Sequence, residues 1–256
     1  MAQVNHVQTR PQPNPRLSLI PPTWEAEVRE LTLRERREAS LALSHSFAAD
    51  PLSLYVMGVD DATCWPSEKL WRLHVRLMQY SYVSYRLRGV ATAIGGDYDA
   101  IALWMPPGTT NDDWLATLCS GTWRLWYQLS RESRIRLFNE LYPALHDTKA
   151  EVLGDRNSDS YYLGYLGTKE SSRGKGHATK LLRHIMEKAD AENRAMYLES
   201  SNESNNRFYA KFGFELKKEI VLTRGPVPIR LFCMLREPQN DNDKASSSVD
   251  MGGEKD

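Results

Sequence analysis

The sequence predicts a mixed α/β fold, and three observations carry that reading. Tyr161–Thr168 reads as a strand entering a Gly-rich turn, Ser171–Ala178. A helix follows whose apolar residues Leu181, Leu182, Ile185, Met186 and Ala189 share one face. Val90–Ile94 and Ile101–Trp104, joined through Gly95-Gly96-Asp97, read as a hairpin. Helical periodicity before and after that hairpin supplies the other layer.

In chain order, residues 1–23 are rich in Pro, Gln and Asn and read as disordered. A folded domain over 24–237 and a polar, disordered tail over 238–256 follow. Glu25–Leu31 suggests a first strand, with Ala26, Val28 and Leu31 among charges. Thr32 with Glu35 three residues on makes a capping box for a helix over Leu33–Phe47, whose apolar residues are Leu33, Ala39, Leu43 and Phe47. Ala48–Pro51 ends it, because a proline drives its predecessor out of helical geometry. Pro66 to about Val90 is a second helix. Trp71, Val75, Met78 and Tyr82 recur along it at helical spacing, and Tyr80 and Tyr85 join them as core aromatics.

Pro106-Pro107-Gly108 stops the second hairpin strand, and Trp114–Leu145 reads as a further helix. Its Trp123, Trp126 and Tyr127 lie on one face. That face reads as core-facing; the alternative is a lid over a hydrophobic acceptor. Asp147–Ser160 reads as a loop. Met196–Leu198 is a short strand ending in Glu199, followed by a short helix carrying Phe208 and Tyr209 and a close at Phe212-Gly213-Phe214.

Composition excludes several classes. The 256 residues carry 33 basic and 33 acidic side chains, so nothing favours a polyanion such as nucleic acid. Cys64, Cys119 and Cys233 are far apart without metal-ligand spacing, which reads as reduced intracellular thiols and no metal. No apolar run approaches a membrane span, and the N-terminus lacks a signal core. A cytoplasmic location without membrane partners is the expectation. His45, His74, His146 and His184 lack a triad partner nearby in sequence; His74 and His184 read as core or helix-surface residues.

The turn has chemistry of its own. Gly174 and Gly176 open backbone conformations that a side chain blocks. Successive N–H groups at the start of a helix then converge where the dipole favours negative charge, a site suited to a pyrophosphate. Arg173 and Lys175 add positive charge. The competing reading is an ordinary loop. A P-loop needs Lys-Ser or Lys-Thr after the second glycine, and here His177-Ala178 follow; a dinucleotide fingerprint needs a third glycine where Thr179 stands.

What remains is Arg-x-x-Gly-x-Ala, from Arg173 to Ala178. With Leu198-Glu199-Ser200-Ser201, Asn205, Phe208-Tyr209, Gly213-Phe214 and Arg230–Met234, it resembles the GNAT superfamily of N-acetyltransferases, in particular the group around puromycin N-acetyltransferase. The resemblance is strong over about 161–236 and weaker over about 33–110. It implies a central, mixed, mostly antiparallel twisted sheet flanked by helices, with strands splayed at the cofactor site. It implies acetyl-CoA as co-substrate. Its pyrophosphate would lie on Arg173, Gly174, Lys175, Gly176, His177, Ala178 and Thr179, and its pantetheine arm and acetyl carbonyl near Leu166, Gly167 and Thr168. Asn205 would cap the Tyr209 helix and touch the arm, with Asn202 as the alternative.

Tyr209 is the implied acid toward the thioester sulfur, or else a core tyrosine beside Phe208. Glu199 is the implied base, or else a surface carboxylate. Phe47, Asp50, Pro51 and Tyr55 would wall the acceptor site or simply pack. The activity implied is direct acetyl transfer to the amine of a small molecule, such as a drug, toxin or secondary metabolite, by a monomer or homodimer. A protein or peptide N-acetyltransferase and a non-catalytic acyl-CoA-binding module are the alternatives.

Overall fold

The computed structural model describes residues 21, 23–24, 27–59, 65–109 and 114–239. Within them seven strands form one open sheet: β1 (Arg29–Glu30), β2 (Val90–Ile94), β3 (Ala100–Met105), β4 (Tyr161–Thr168), β5 (Met196–Ser200), β6 (Glu215–Leu222) and β7 (Ile229–Arg236). Their spatial order is β1-β2-β3-β4-β5-β7-β6. The helices are α1 (Arg36–Ser46), α2 (Pro51–Met57), α3 (Glu68–Arg88), α4 (Trp114–Ser120), α5 (Leu125–Gln128), α6 (Arg131–Arg134), α7 (Tyr142–Leu153), α8 (His177–Ala191) and α9 (Asn206–Ala210). All strand pairs are antiparallel except β4–β5, which run parallel because α8 carries the chain back across the sheet between them. This is the mixed, mostly antiparallel sheet with flanking helices expected above.

Alternation sorts the sheet into two faces. Ile101, Leu103 and Met105 point into a core shared with α1, α2 and α3, whereas Ala100, Ala102 and Trp104 point toward α8 and Tyr209. Helix α8 buries Leu181, Leu182, Ile185 and Ala189, the stripe expected from its periodicity. Each such leucine or isoleucine stabilises the layer by about 1.5–3 kcal/mol. Arg236 clamps the C-terminal end of α8: fully buried, it donates to both oxygens of Asp190 at 2.7 and 2.8 Å and, through Nε, to the Phe212 carbonyl at 2.8 Å. His74 is a core residue, its Nε2 3.1 Å from the Ser44 carbonyl; burial pushes its pKa down to about 4.

Several boundaries differ from expectation. The first strand is confined to Arg29–Glu30, and Ala26 lies outside the described residues, as do Cys64 and almost all of both tails. The Thr32 capping box forms, but its first turn, Leu33–Glu35, is 3-10 before α1 begins. Pro51 both follows one helix and opens another: Asp50 accepts the Ser53 N–H at 2.9 Å as N-cap of α2. The expected helix Trp114–Leu145 is broken. Gly121, at φ +84°, ends α4, the chain turns again between α5 and α6, and Ile135–Leu141 is a π-helical turn. The expected loop after Asp147 is helical through Leu153, because α7 runs on with a polar outer face.

The face carrying Trp123, Trp126 and Tyr127 does not turn to the core. These side chains are 45%, 60% and 59% exposed, because the short helices lie on the rim rather than under a second layer.

Candidate active site

The site begins where β4 and β5 part. Their parallel ladder has three rungs, Tyr161↔Met196, Tyr162↔Tyr197 and Leu163↔Leu198, and then stops. The next residue on β4, Gly164, is the extra residue of a β-bulge: Leu103 pairs with Tyr165 but Trp104 pairs with Leu163. The next residue on β5 is Glu199, which remains paired with Cys233 of β7. The strands therefore fork at Gly164 and Glu199. A side chain at Gly164 is impossible without rearrangement, since its Cβ would lie 1.8 Å from the Tyr85 hydroxyl.

Along the open edge of β4 the backbone polarity follows from its other ladder. Lys169 N–H donates to the Asp99 carbonyl at 2.9 Å. Alternation then turns the Gly167 N–H toward β3 and leaves those of Leu166 and Thr168 facing the fork. Of the three expected strand-end residues, Leu166 and Thr168 thus present backbone donors to the opening and Gly167 does not. Gly167 has a different reason to lack a side chain: a Cβ there would stand 2.9 Å from Phe47 and Ser46 at the end of α1.

The turn after β4 is anchored and then left open. Ser172 Oγ donates to Asp99 at 2.6 Å, and the N–H groups of Ser172 and Arg173 are taken by the Lys169 and Glu170 carbonyls. Beyond Arg173 the pattern changes. Gly174 and Gly176 adopt φ +79° and +77°, and among the described residues no protein acceptor takes the N–H groups of 174–179. Gly174, Lys175 and Gly176 are exposed; His177, Ala178 and Thr179 form the half-exposed first turn of α8. Six donors without a protein acceptor among the described residues, the last three in the first turn of a 15-residue helix, are an arrangement suited to an anion. Arg173's own amide is not among them, but its side chain is exposed beside it.

Tyr209 and Glu199 lie on opposite faces of the sheet. Tyr209 packs on the α8 side, its ring 5.2 Å from Phe208 and 5.9 Å from Phe214. Its hydroxyl has no hydrogen-bond partner among the described residues, and burial pushes its pKa above the ordinary 10, so it stays protonated. Glu199 follows Leu198, which faces α8, and so lies on the α1–α3 face with Tyr197. Although the residue is only partly buried, its Oε1 is closed from solvent and has no hydrogen-bond partner among the described residues. Burial raises its pKa from 4.5 to about 7, against the opposing pull of the Tyr162 and Tyr197 phenols and Lys149.

On that same face the bulge brings Tyr162 and Tyr165 together. Tyr165 meets Phe47 edge-on at 5.5 Å and Tyr85 at 5.9 Å, and bonds Ser81 at 3.1 Å. Asp50 reaches across to Ser201, just past β5. Of the four expected wall residues, Phe47 and Asp50 therefore reach the fork. Pro51 starts α2, and Tyr55 is directed instead to Glu140 and stacks under Arg136 at 4.9 Å. The cap expected of Asn205 belongs to Asn202, whose side chain accepts the Ser204 N–H at 3.0 Å; Asn205 makes no side-chain cap bond. The tyrosine cluster was missed in sequence. An isolated glycine inside a strand pattern, Gly164 between Leu163 and Tyr165, was the available signal for the bulge that assembles it.

The sequence matches a known family. A sequence profile for the acetyltransferase (GNAT) domain matches residues 144–216. An uncharacterized N-acetyltransferase of Schizosaccharomyces pombe is 36% identical over 222 residues, 87% of each chain. The chain belongs to the GNAT family of N-acetyltransferases. Solved structures share the acetyltransferase fold. Arylalkylamine N-acetyltransferase 2 of Aedes aegypti aligns with TM-score 0.57 and 18% identity, covering 83% of this chain and 99% of its own. A histone acetyltransferase HPA2 and related acetyltransferase of Corynebacterium glutamicum aligns with TM-score 0.54 and 21% identity, covering 84% and 97%. Among the described residues of this acetyltransferase there is no metal-holding group of three or more His, Cys, Asp or Glu, and no helix long and apolar enough to cross a membrane.

Proposed function

We propose that this acetyltransferase moves an acetyl group from acetyl-CoA directly to the amine of a small molecule, within one domain spanning 24–237. The observation that carries the reading is the fork: a free anion cradle on one side, and a partnerless carboxylate oxygen of raised pKa on the other. The N–H groups of 174–179 hold the diphosphate of the donor, helped by Arg173 and Lys175. The Leu166 and Thr168 amides meet the pantetheine arm and polarise the thioester carbonyl, a type of contact that contributes about 3–4 kcal/mol. Asn202 and Asn205, on the segment leading to α9, are the residues proposed to contact the arm.

The chemistry balances within these residues. The amine nitrogen attacks the acetyl carbon, forming the N–C bond as the C–S bond breaks. The Glu199 carboxylate takes the proton lost by the amine, for which a pKa of about 7 is suited. The Tyr209 phenol returns a proton to the departing thiolate. No covalent enzyme intermediate is needed. A small-molecule acceptor is favoured by the resemblance to the puromycin N-acetyltransferase group.

A thiol-release assay with acetyl-CoA over an amine panel, including aminonucleosides, polyamines and peptide N-termini, tests the reading. Turnover with a small amine is expected. Absence of coenzyme A binding at millimolar concentration removes it.

A further inference from the structure

The transferase mechanism leaves the rim between Trp114 and Tyr142 unused. Seven of the fourteen exposed large apolar side chains among the described residues stand there, a concentration that marks a contact surface rather than scattered exposure. In α4, Trp114, Leu115 and Leu118 face solvent, while Ala116 and Ser120 are buried on the side packed on α3. Gly121 turns the chain, and the Arg124 guanidinium lies against it and over the Trp123 ring at 5.2 Å. Trp123 meets Tyr127 at 5.8 Å. Arg134 repeats the arrangement on the next ring: it lies over Trp126 at 5.6 Å and donates to the Trp126 carbonyl at 2.9 Å. Ring contacts continue from Trp126 to Phe138 and from Phe138 to Tyr142, each at 5.7 Å. These contacts join the short helices into one aromatic surface.

The charge on that surface is of one sign. Between Trp114 and Tyr142 the chain has four arginines and two carboxylates. Both carboxylates are committed inward: Glu132 to Arg224 and Arg136, and Glu140 to Tyr55 and the Thr223 N–H at 2.8 Å. Arg136 is buried and donates to the Tyr55 carbonyl at 3.0 Å. Arg124, Arg131 and Arg134 remain, without a carboxylate partner among the described residues. An exposed aromatic surface edged by three uncompensated cations calls for an anionic partner.

A second copy of this chain fits poorly, because a two-fold contact sets each patch against itself and brings the same guanidiniums face to face. A lipid surface fits on both counts. Tryptophan and tyrosine settle at headgroup level, where the ring is dry and its polar edge wet, and arginine lays its stem on apolar surface while its head reaches phosphate. The anionic leaflet supplies the opposite charge. The expectation of no membrane partner came from the lack of a spanning run and a signal core; a surface that lies in the interface needs neither. We propose that the α4–α6 rim docks on an anionic lipid surface, its indoles at headgroup level and Arg124, Arg131 and Arg134 on the lipid anions.

The test is flotation of the full chain with vesicles of phosphatidylcholine alone or with about 30% phosphatidylserine. Each arginine held near an anionic surface raises partitioning about fivefold, so the three together favour the anionic vesicles by roughly 10²-fold. Binding should weaken as salt is raised, since the Debye length shrinks. Two variants separate the contributions, both at exposed positions where folding is not at risk: Arg124→Gln with Arg131→Gln, and Trp114→Ala with Trp126→Ala. The first should lose more than tenfold on anionic vesicles, and the second should lose binding under all salt conditions. No flotation with anionic vesicles, equal flotation with neutral ones, or undiminished flotation of both variants overturns the proposal. A dimer in sedimentation velocity that the tryptophan variant abolishes, with no vesicle binding, overturns it in favour of a second copy. None of these readouts depends on acetyl transfer.

Discussion

Glu199→Gln separates the proton-accepting role of this side chain from its shape. In the native chain, burial holds the carboxyl at about 7 rather than 4.5. Ionising it in place therefore costs roughly 3 kcal/mol more than in water. Two consequences follow. As base, the carboxylate must be free of its proton, so kcat/KM should rise with pH through a limb centred near 7, and the glutamine variant should lack that limb and fall by about 10²–10⁴-fold. As a buried group, it acts against stability once ionised. Between about 4.5 and 7 the folded state holds a proton that the unfolded state has released, so stability falls as pH rises across that window and is flat above it. Gln carries no charge at either end. The variant should match the native protein near pH 4 and exceed it at pH 8 by up to roughly 3 kcal/mol, about 5–10 °C in Tm. Thermal melts at both pH values, with initial rates from pH 5 to 9 on an amine of known pKa, decide it. A rate limb at 4–5, or equal stability of the two proteins at pH 8, refutes the argument.

Three further perturbations test separate parts of the site. Tyr209→Phe removes a hydroxyl with no hydrogen-bond partner among the described residues, so the fold should be unaffected, kcat should drop by about 10²-fold or more, and calorimetric coenzyme A affinity should hold; unchanged kcat excludes the acid. Gly176→Ala meets no atom within 4 Å but forces an L-residue to φ +77°, a penalty of about 1–2 kcal/mol; coenzyme A binding by calorimetry should weaken roughly tenfold, and native affinity would mean the cradle is not used. Arg236→Met leaves Asp190 without its bidentate partner at the end of α8, and urea unfolding should show a loss of about 3–5 kcal/mol, part of it recovered when Asp190→Asn is added.

What was legible in the sequence is what local pattern determines. The strand Tyr161–Thr168, the α8 stripe and the β2–β3 hairpin each carry their own periodicity and turn residues, and all lie within a residue or so of expectation. Strand β6 was not seen because Glu215, Lys217, Lys218 and Glu219 crowd an edge strand whose register shifts between Leu216 and Lys218, which destroys alternation. The rim aromatics were misread because periodicity reports that a face is apolar and not what covers it; Trp114, 74% exposed, has the same spacing signal as a core residue. The end of the β4–β5 ladder is a non-local event, invisible to any window along the chain, and its local trace was a single glycine.

That glycine explains how the proposed acid and base can serve one reaction from opposite faces of a sheet. A continuous sheet would separate Tyr209 from Glu199 by a wall of backbone. Side chains alternate strictly, so Leu198 facing α8 commits Glu199 to the other side, and a slip of one residue in β5 would turn the carboxylate into the α8 core. The wall has to open instead. The extra residue at Gly164 turns Tyr165 back to the face that Tyr162 already occupies and coincides with the last rung shared by β4 and β5. In the proposed reaction the thioester threads between the strands, its sulfur on the side of Tyr209 and its carbonyl presented to an amine on the side of Glu199. The wedge that keeps this arrangement is Tyr85, packed where a Cβ at Gly164 would be. On the proposed mechanism, an unbulged β4 would keep Tyr209 and Glu199 from reaching the same acetyl group.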